Sequence, residues 1–203
     1  MQIITWLVAA MFAWTPAKEV DRARYTEIAN DIASVAYDPA EAPLFSGDDG
    51  RARTALLLAS IAAHESTFRK DVDEGRARGD GGTSWCFMQL HIGVGKTVEG
   101  WSGDDVTADR KLCFRAGLHI ARESFRMCVG EPTIEKLSAY ASGRCGRSAE
   151  SRQMITRAVA YTQRHRVTDA QFVYVERNSE QVTTKRSAER ETVTRNEPPA
   201  SRM

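Results

Sequence analysis

The chain is 203 residues long and carries 28 Lys and Arg against 27 Asp and Glu, a formal net charge of +1. That length holds one domain of ordinary size with tails rather than two enzymatic domains, and the balanced charge gives no field for gripping a polyanion, which argues against nucleic acid as a partner. A hydrophobic fraction of 42%, with 8% aromatics and 6 Pro, fits a small, mostly helical globular protein rather than a membrane bundle or a disordered chain.

The first charge is Lys18, and the apolar run before it, Ile3 to Trp14, is too short to span a bilayer but has the length of a signal-peptide core. Thr15 and Ala17 stand in an A-x-A-like arrangement, although the Lys or Arg that usually precedes the core is missing. Residues 1–17 therefore read either as an export signal cleaved after Ala17 or as a helix that docks through Ile3, Leu7 and Met11. A helix through Ile28, Ile32 and Val35 follows, with Thr15-Pro16 as its expected cap and first residue. The next starts after Gly47-Asp48-Asp49 and is apolar enough through Leu56, Leu57, Leu58 and Ile61 to be central before it runs into His64-Glu65-Ser66. From Lys70 to Gly103 lies a Gly- and Asp-rich stretch longer than a passive connection needs, the kind of segment where sites are built. A helix from near Asp109 to Met127, one from Pro132 to Gly143 and one after Ser148 complete a domain over residues 18–167. Residues 168–203 have few large apolar side chains and alternating charges, and read as a mostly disordered charged tail.

Glu65 is the residue whose position points to chemistry. Leu58, Ile61 and Glu65 are three and four residues apart, so the carboxylate should emerge on the same face as two large apolar side chains. Burial there opposes ionisation and lifts the pKa toward neutrality, which a general acid needs if it is to protonate a glycosidic oxygen. The alternative for such a glutamate is to turn to solvent or pair with Arg69.

Three segments in order, Ala63-His64-Glu65-Ser66-Thr67-Phe68, Phe87-Met88-Gln89-Leu90 and Ala139-Tyr140-Ala141-Ser142-Gly143, resemble the successive motifs of the soluble lytic transglycosylase family. Asp109 with Gly117 eight residues on, and Glu150-Ser151-Arg152, are similar to two further family landmarks, so the resemblance covers about residues 50–160. It implies a mainly α, lysozyme-like domain with a long irregular cleft loop or small hairpin, acting without a cofactor or metal on peptidoglycan glycan strands. By the same resemblance Glu65 is the single catalytic acid and base, Tyr140 orients it, and Ser66, Ser84, Phe87, Met88, Gln89 and Ser142 bind substrate. The chain departs from the family pattern at Cys86, Phe87, Ala141 and Met154, where the family has glycine, leucine, asparagine and tyrosine, so the cleft floor is bulkier and lacks one polar contact. Asp71, Asp73 and Asp80 leave room for a second carboxylate and a hydrolysing muramidase of goose-lysozyme type, or they are turn formers. A non-catalytic peptidoglycan-binding or structural protein of a phage tail or secretion machine is the reading from a different class. The implied location is periplasmic, secreted or virion-associated, with no stable membrane span and with cell-envelope or virion machinery as further partners.

Other motifs fail on inspection. His64-Glu65 does not open a zinc-protease motif because the second histidine position is Phe68, and Gly95-Lys96-Thr97 lacks the earlier glycine of a phosphate loop, where Leu90 stands. Cys86, His91, Cys113 and His119 have no familiar zinc spacing. Trp85 and Trp101 flank the cleft loop and fit either sugar stacking or partial core. Cys113 and Cys128 on one helix would lie about 22 Å apart, beyond disulfide reach. That leaves Cys86–Cys113 with Cys128–Cys145, or Cys86–Cys128 with Cys113–Cys145, and bridges agree with export. Four free buried thiols are the remaining possibility.

Overall fold

The most apolar segment of the sequence forms the central helix of the computed structural model, which describes residues 3–16 and 21–165. This helix is α3 in chain order, Gly50–Glu65, and it is buried on every side from Thr54 to Ala63. Around it pack α1 (Ile3–Trp14), α2 (Arg22–Ala36) and α8 (Ala149–His165). The long amphipathic α6 (Arg110–Met127) lies against α2 and carries the short α7 (Ser138–Ser142) near its end. Two one-turn or two-turn helices, α4 (Lys70–Asp73) and α5 (Gly103–Ala108), and a two-stranded antiparallel hairpin of β1 (Ser84–Trp85) and β2 (Leu90–His91) occupy the long Gly-rich segment. The protein is mainly α.

Local chemistry explains most boundaries. Asp21, not Thr15-Pro16, opens α2: its carboxylate accepts from the Arg24 amide at 3.1 Å, while the Thr15 hydroxyl donates back to the Met11 carbonyl at 2.7 Å and closes α1. The expected start of that helix is thereby corrected by six residues. Asp109 caps α6 by accepting from the Lys111 amide, and Ser102 with Asp105 forms a reciprocal capping box on α5. The helix expected from Pro132 to Gly143 is broken into a 3-10 turn, Thr133–Glu135, and α7, which ends where Gly143 takes the left-handed conformation at φ 73°.

Helix α1 is part of the core, with Ile3, Trp6, Leu7 and Met11 fully or almost fully buried. In the uncleaved chain residues 3–14 thus form a helix docked on α2 and α3. Cleavage after Ala17 would strip that apolar surface from α2 and α3. A chain of ring contacts, Phe12–Tyr25–Phe68–Phe87–Phe114, runs from α1 through α2 to α6 with centroid spacings of 5.4 to 6.2 Å. It passes through Phe68, three residues after Glu65, so the core anchors the segment that follows the acid.

The cysteines pair as Cys86–Cys113 and Cys128–Cys145, leaving none free. The first ties the hairpin segment to α6, and the second ties the end of α6 to the loop after α7. Both are covalent links of the kind an oxidising compartment allows. Among the described residues no helix is long and apolar enough to cross a membrane. The tail expected over residues 168–203 lies outside the described residues.

Candidate active site

Glu65 is the last residue of α3 and is half-buried. Burial, with the charges of Asp80 and then Glu150 adding to it, raises its pKa from the ordinary 4.5 to about 7. Among the described residues no cation offsets this. Neighbouring His64 is itself pushed toward the neutral form, by burial first and then by the Arg157 charge. Arg69, the partner considered from sequence, is engaged with Asp71 at 2.5 Å instead.

Two walls flank the acid. The first is the Gly-rich segment. All five non-glycine residues with positive φ among the described residues lie either just after Glu65, at Thr67 (49°) and Phe68 (52°), or in this segment, at Asp80 (47°), Cys86 (54°) and Gln89 (45°). Such backbone is costly and persists where the surroundings over-determine it, a pattern that gathers at functional sites. Here the Phe68 carbonyl accepts from Arg24 at 2.6 Å, and Cys86 is held by its disulfide. Gln89 returns its amide nitrogen to the Cys86 carbonyl at 2.9 Å and lies so close to Gly79 that a Cβ there would overlap its side-chain oxygen.

The second wall comes from α7 and the start of α8. Helices α3 and α8 run antiparallel: the Ser60 hydroxyl donates to the Met154 carbonyl at 2.7 Å, while His64, farther along α3, meets Gln153 and Glu150. The C-terminal end of α3 therefore faces the N-terminal end of α8. Tyr140 on α7 donates its hydroxyl proton to the Met88 carbonyl at 2.6 Å, linking the two walls. Burial raises the phenol well above its ordinary pKa, and the Glu65 charge adds to this, so it remains a protonated donor. With that proton committed to Met88, its lone pairs are what remain to interact with Glu65, and they suit the protonated acid.

The other expected contact residues divide. Gln89 is half-buried in the wall and Ser142 is exposed at the end of α7, its hydroxyl turned to the Ser138 carbonyl. Ser66, Ser84, Phe87 and Met88, expected to bind substrate, have buried side chains. The Ser66 hydroxyl donates to Ala62, and Phe87 belongs to the ring chain. Met88 fills the space left by Gly117, where a Cβ would overlap it. This gives the Asp109-to-Gly117 spacing a physical basis: a helix cap, then two turns later a gap that admits Met88. Ser84 donates to Asp80 at 2.5 Å. Trp85 is buried too, closed between Arg78, 3.4 Å from its ring centroid, and Gly103, while Trp101 is half-buried.

The three loop aspartates also part ways. Asp71 pairs with Arg69, and Asp73 is locked to Arg110 at 2.7 Å and to Arg24 at 3.4 Å with 6% of its side chain exposed. Asp73 thus braces the fold, and Asp71 is taken up by a surface pair. Asp80, 70% exposed, has His91 at 3.7 Å and is the one whose charge reaches Glu65. Sequence reasoning grouped all three because spacing does not reveal which of them faces inward. Glu150 was read only as a landmark, yet its charge also reaches Glu65.

A cavity of about 680 Å³ lies elsewhere, lined by Asp31, Asp73, Lys70 and Arg110 among others. It surrounds the Arg110 ion pairs, and of the residues considered for chemistry it includes Asp73, which those pairs consume, but not Glu65 or Tyr140. Among the described residues no group of three or more His, Cys, Asp or Glu is placed to hold a metal ion. The combination of Cys86, His91, Cys113 and His119 fails because both cysteines are spent in one disulfide, while His119 sits between Glu41, at 2.9 Å, and Glu99. In comparisons with known proteins, no family, no curated protein and no solved structure matches this chain.

Proposed function

We propose that the protein is a peptidoglycan lytic transglycosylase with a lysozyme-like fold, cleaving the bond between N-acetylmuramic acid and N-acetylglucosamine with Glu65 as its single acid and base. The observation that carries this reading is a carboxyl of pKa about 7 at the end of a buried helix, with no ion pair to a cation among the described residues and with its charge felt by the Tyr140 hydroxyl. A group with that pKa is protonated in a useful fraction at neutral pH and still accepts a proton afterwards. The Glu65 proton passes to the glycosidic oxygen as the bond from C1 to that oxygen breaks. The Glu65 carboxylate then takes the proton of the muramoyl 6-hydroxyl, whose oxygen bonds to C1. The result is a 1,6-anhydro end, water is not consumed, and Glu65 is again protonated. Tyr140, its own proton on Met88, steadies the neutral acid before the first transfer. The two disulfides agree with work outside the reducing cytosol, at the periplasm, a secreted location or a virion.

Asp80 favours a second reading, hydrolysis. Its carboxylate is exposed, held by Ser84 and within electrostatic reach of Glu65, so it is the loop carboxylate available to act as base for an attacking water. The experiment is release of soluble fragments from purified sacculi. Loss of release in Glu65→Gln, with the variant folded, supports an enzyme using Glu65. Release unaffected by that change would overturn both readings, and no release by the wild type, with sacculi still bound, would leave a binding protein.

A further inference from the structure

Helix α6 has one histidine, His119, and it stands between carboxylates from two different loops. Its Nε2 is 2.9 Å from Glu41, in the loop after α2, and its Nδ1 meets Glu99, in the loop 92–102 that runs from β2 to α5. Glu41 is buried, and His119 and Glu99 are half-buried. A carboxylate oxygen accepts but does not donate, so both contacts are hydrogen bonds only while both ring nitrogens carry a proton. Burial opposes the charge of Glu99, but hydrogen bonds from His119 and then Thr97 outweigh it and keep the carboxyl below its ordinary pKa of 4.5. The cluster is thus an imidazolium held between two carboxylates.

The two anchors are unequal. Glu41 also receives Arg122 at 3.0 Å and has Arg115 at 3.6 Å, while Arg115 pairs in turn with Asp38 at 2.6 Å and Arg51 of α3 donates to the Ala36 and Asp38 carbonyls. Among the described residues Glu99 pairs with no Lys or Arg, and its other donors are neutral, the Thr97 hydroxyl and its own amide. The loop is fastened at its two ends, where the Trp85 indole donates to the Gly93 carbonyl at 2.9 Å and where Ser102 caps α5. Between these ends Val94 and Val98 are almost wholly exposed, and Glu99 with His119 is the one ion pair that the loop makes among the described residues. Once the ring gives up a proton, one nitrogen turns a lone pair toward a carboxylate. Glu41 stays held by its arginines, so the loop is the part that leaves. We propose that His119 is a pH-operated clasp, its imidazolium closing the loop 92–102 onto α6 and the loss of one ring proton releasing it. The loop continues directly from the hairpin whose turn gives Tyr140 the Met88 carbonyl, so its release loosens the bracing of that wall. The clasp is independent of whether the protein cleaves glycans.

The test is nitrogen-15 magnetic resonance on the full chain with its disulfides intact, from about pH 5 to about pH 9, the span over which imidazoles change charge. It follows the ring nitrogens of His119 together with the order parameters of amides 93–101. These should stay near about 0.85 while the ring holds two protons and fall toward about 0.6 in step with the loss of one, with the amides of α3 unchanged. In His119→Gln the step should be absent, because the side chain no longer titrates. In Glu99→Gln the ring should still titrate while the loop shows no step, because an amide can accept from a protonated nitrogen or donate to a bare one. A loop that stays ordered while the ring loses a proton overturns the proposal. So does a ring that keeps both protons throughout, or a step of the same size in either variant.

Discussion

Replacing Glu65 with Gln should make the folded protein more stable at alkaline pH and leave it nearly unchanged in acid. In the unfolded chain Glu65 ionises near 4.5, whereas in the folded protein it does so near 7. Between those values the native state holds the extra proton, so unfolding free energy falls as pH rises and levels off above about 7. A difference of that size corresponds to roughly 3 kcal/mol, and because Glu65 is only half-buried the expected effect is about 1–3 kcal/mol. Glutamine keeps the shape and removes the ionisation, so the variant should not show that slope. Urea unfolding of both proteins with disulfides intact, at several values between about pH 4 and 8, gives the difference directly. The variant should gain over the wild type from acid to neutral pH and hold its advantage above it. Parallel pH profiles would refute the reasoning, since they would mean that Glu65 ionises in the folded protein as it does in a free chain.

Tyr140→Phe removes the donor to the Met88 carbonyl, which should cost about 1–3 kcal/mol in the same unfolding assay; an unchanged midpoint would show that the bond contributes nothing. Gly117→Ala drives a methyl into Met88 and should destabilise by about 1–3 kcal/mol, with partial recovery when Met88→Ala is added; simple additivity of the two costs would contradict the contact. Cys145 is exposed whereas Cys86 and Cys113 are buried, so a mild dithiol should open Cys128–Cys145 first, as read by mass after thiol alkylation. Loss of that bridge should lower stability by about 3 kcal/mol on a loop-entropy basis. Simultaneous opening of both bridges would contradict the difference in burial.

Much of the helical frame could be read from the sequence because apolar spacing and caps are local signals. The run ending at Glu65, the helix from Asp109 to Met127 and the one after Ser148 fall where those signals put them. The start of α2 was misplaced because Thr-Pro and Asp21 are both plausible openers, and the choice depends on where α1 docks. Of the expected site, the fold brings Tyr140 within reach of the Glu65 charge although the two are 75 positions apart (140 − 65). The burial of Phe87 and Met88 was not, because it follows from positive φ at Cys86 and Gln89, which no propensity signals in non-glycine residues. Nor could spacing show that Asp73 would be consumed by Arg110 and Arg24 while Asp80 stayed exposed, with His91 rather than an arginine as its ion-pair partner. The cysteine pairs were narrowed to two sets by helix length, and packing against α6 selected between them.

The most direct test of the central claim is the mass of the fragments released when purified peptidoglycan is digested in heavy-oxygen water. The account predicts 1,6-anhydro ends with no heavy oxygen incorporated, all dependent on Glu65. Reducing ends carrying the heavy isotope would mean that water, activated at a site such as Asp80, takes the place of the muramoyl hydroxyl. Fragments that appear equally with Glu65→Gln, or no fragments at all from the wild type, would contradict the account outright.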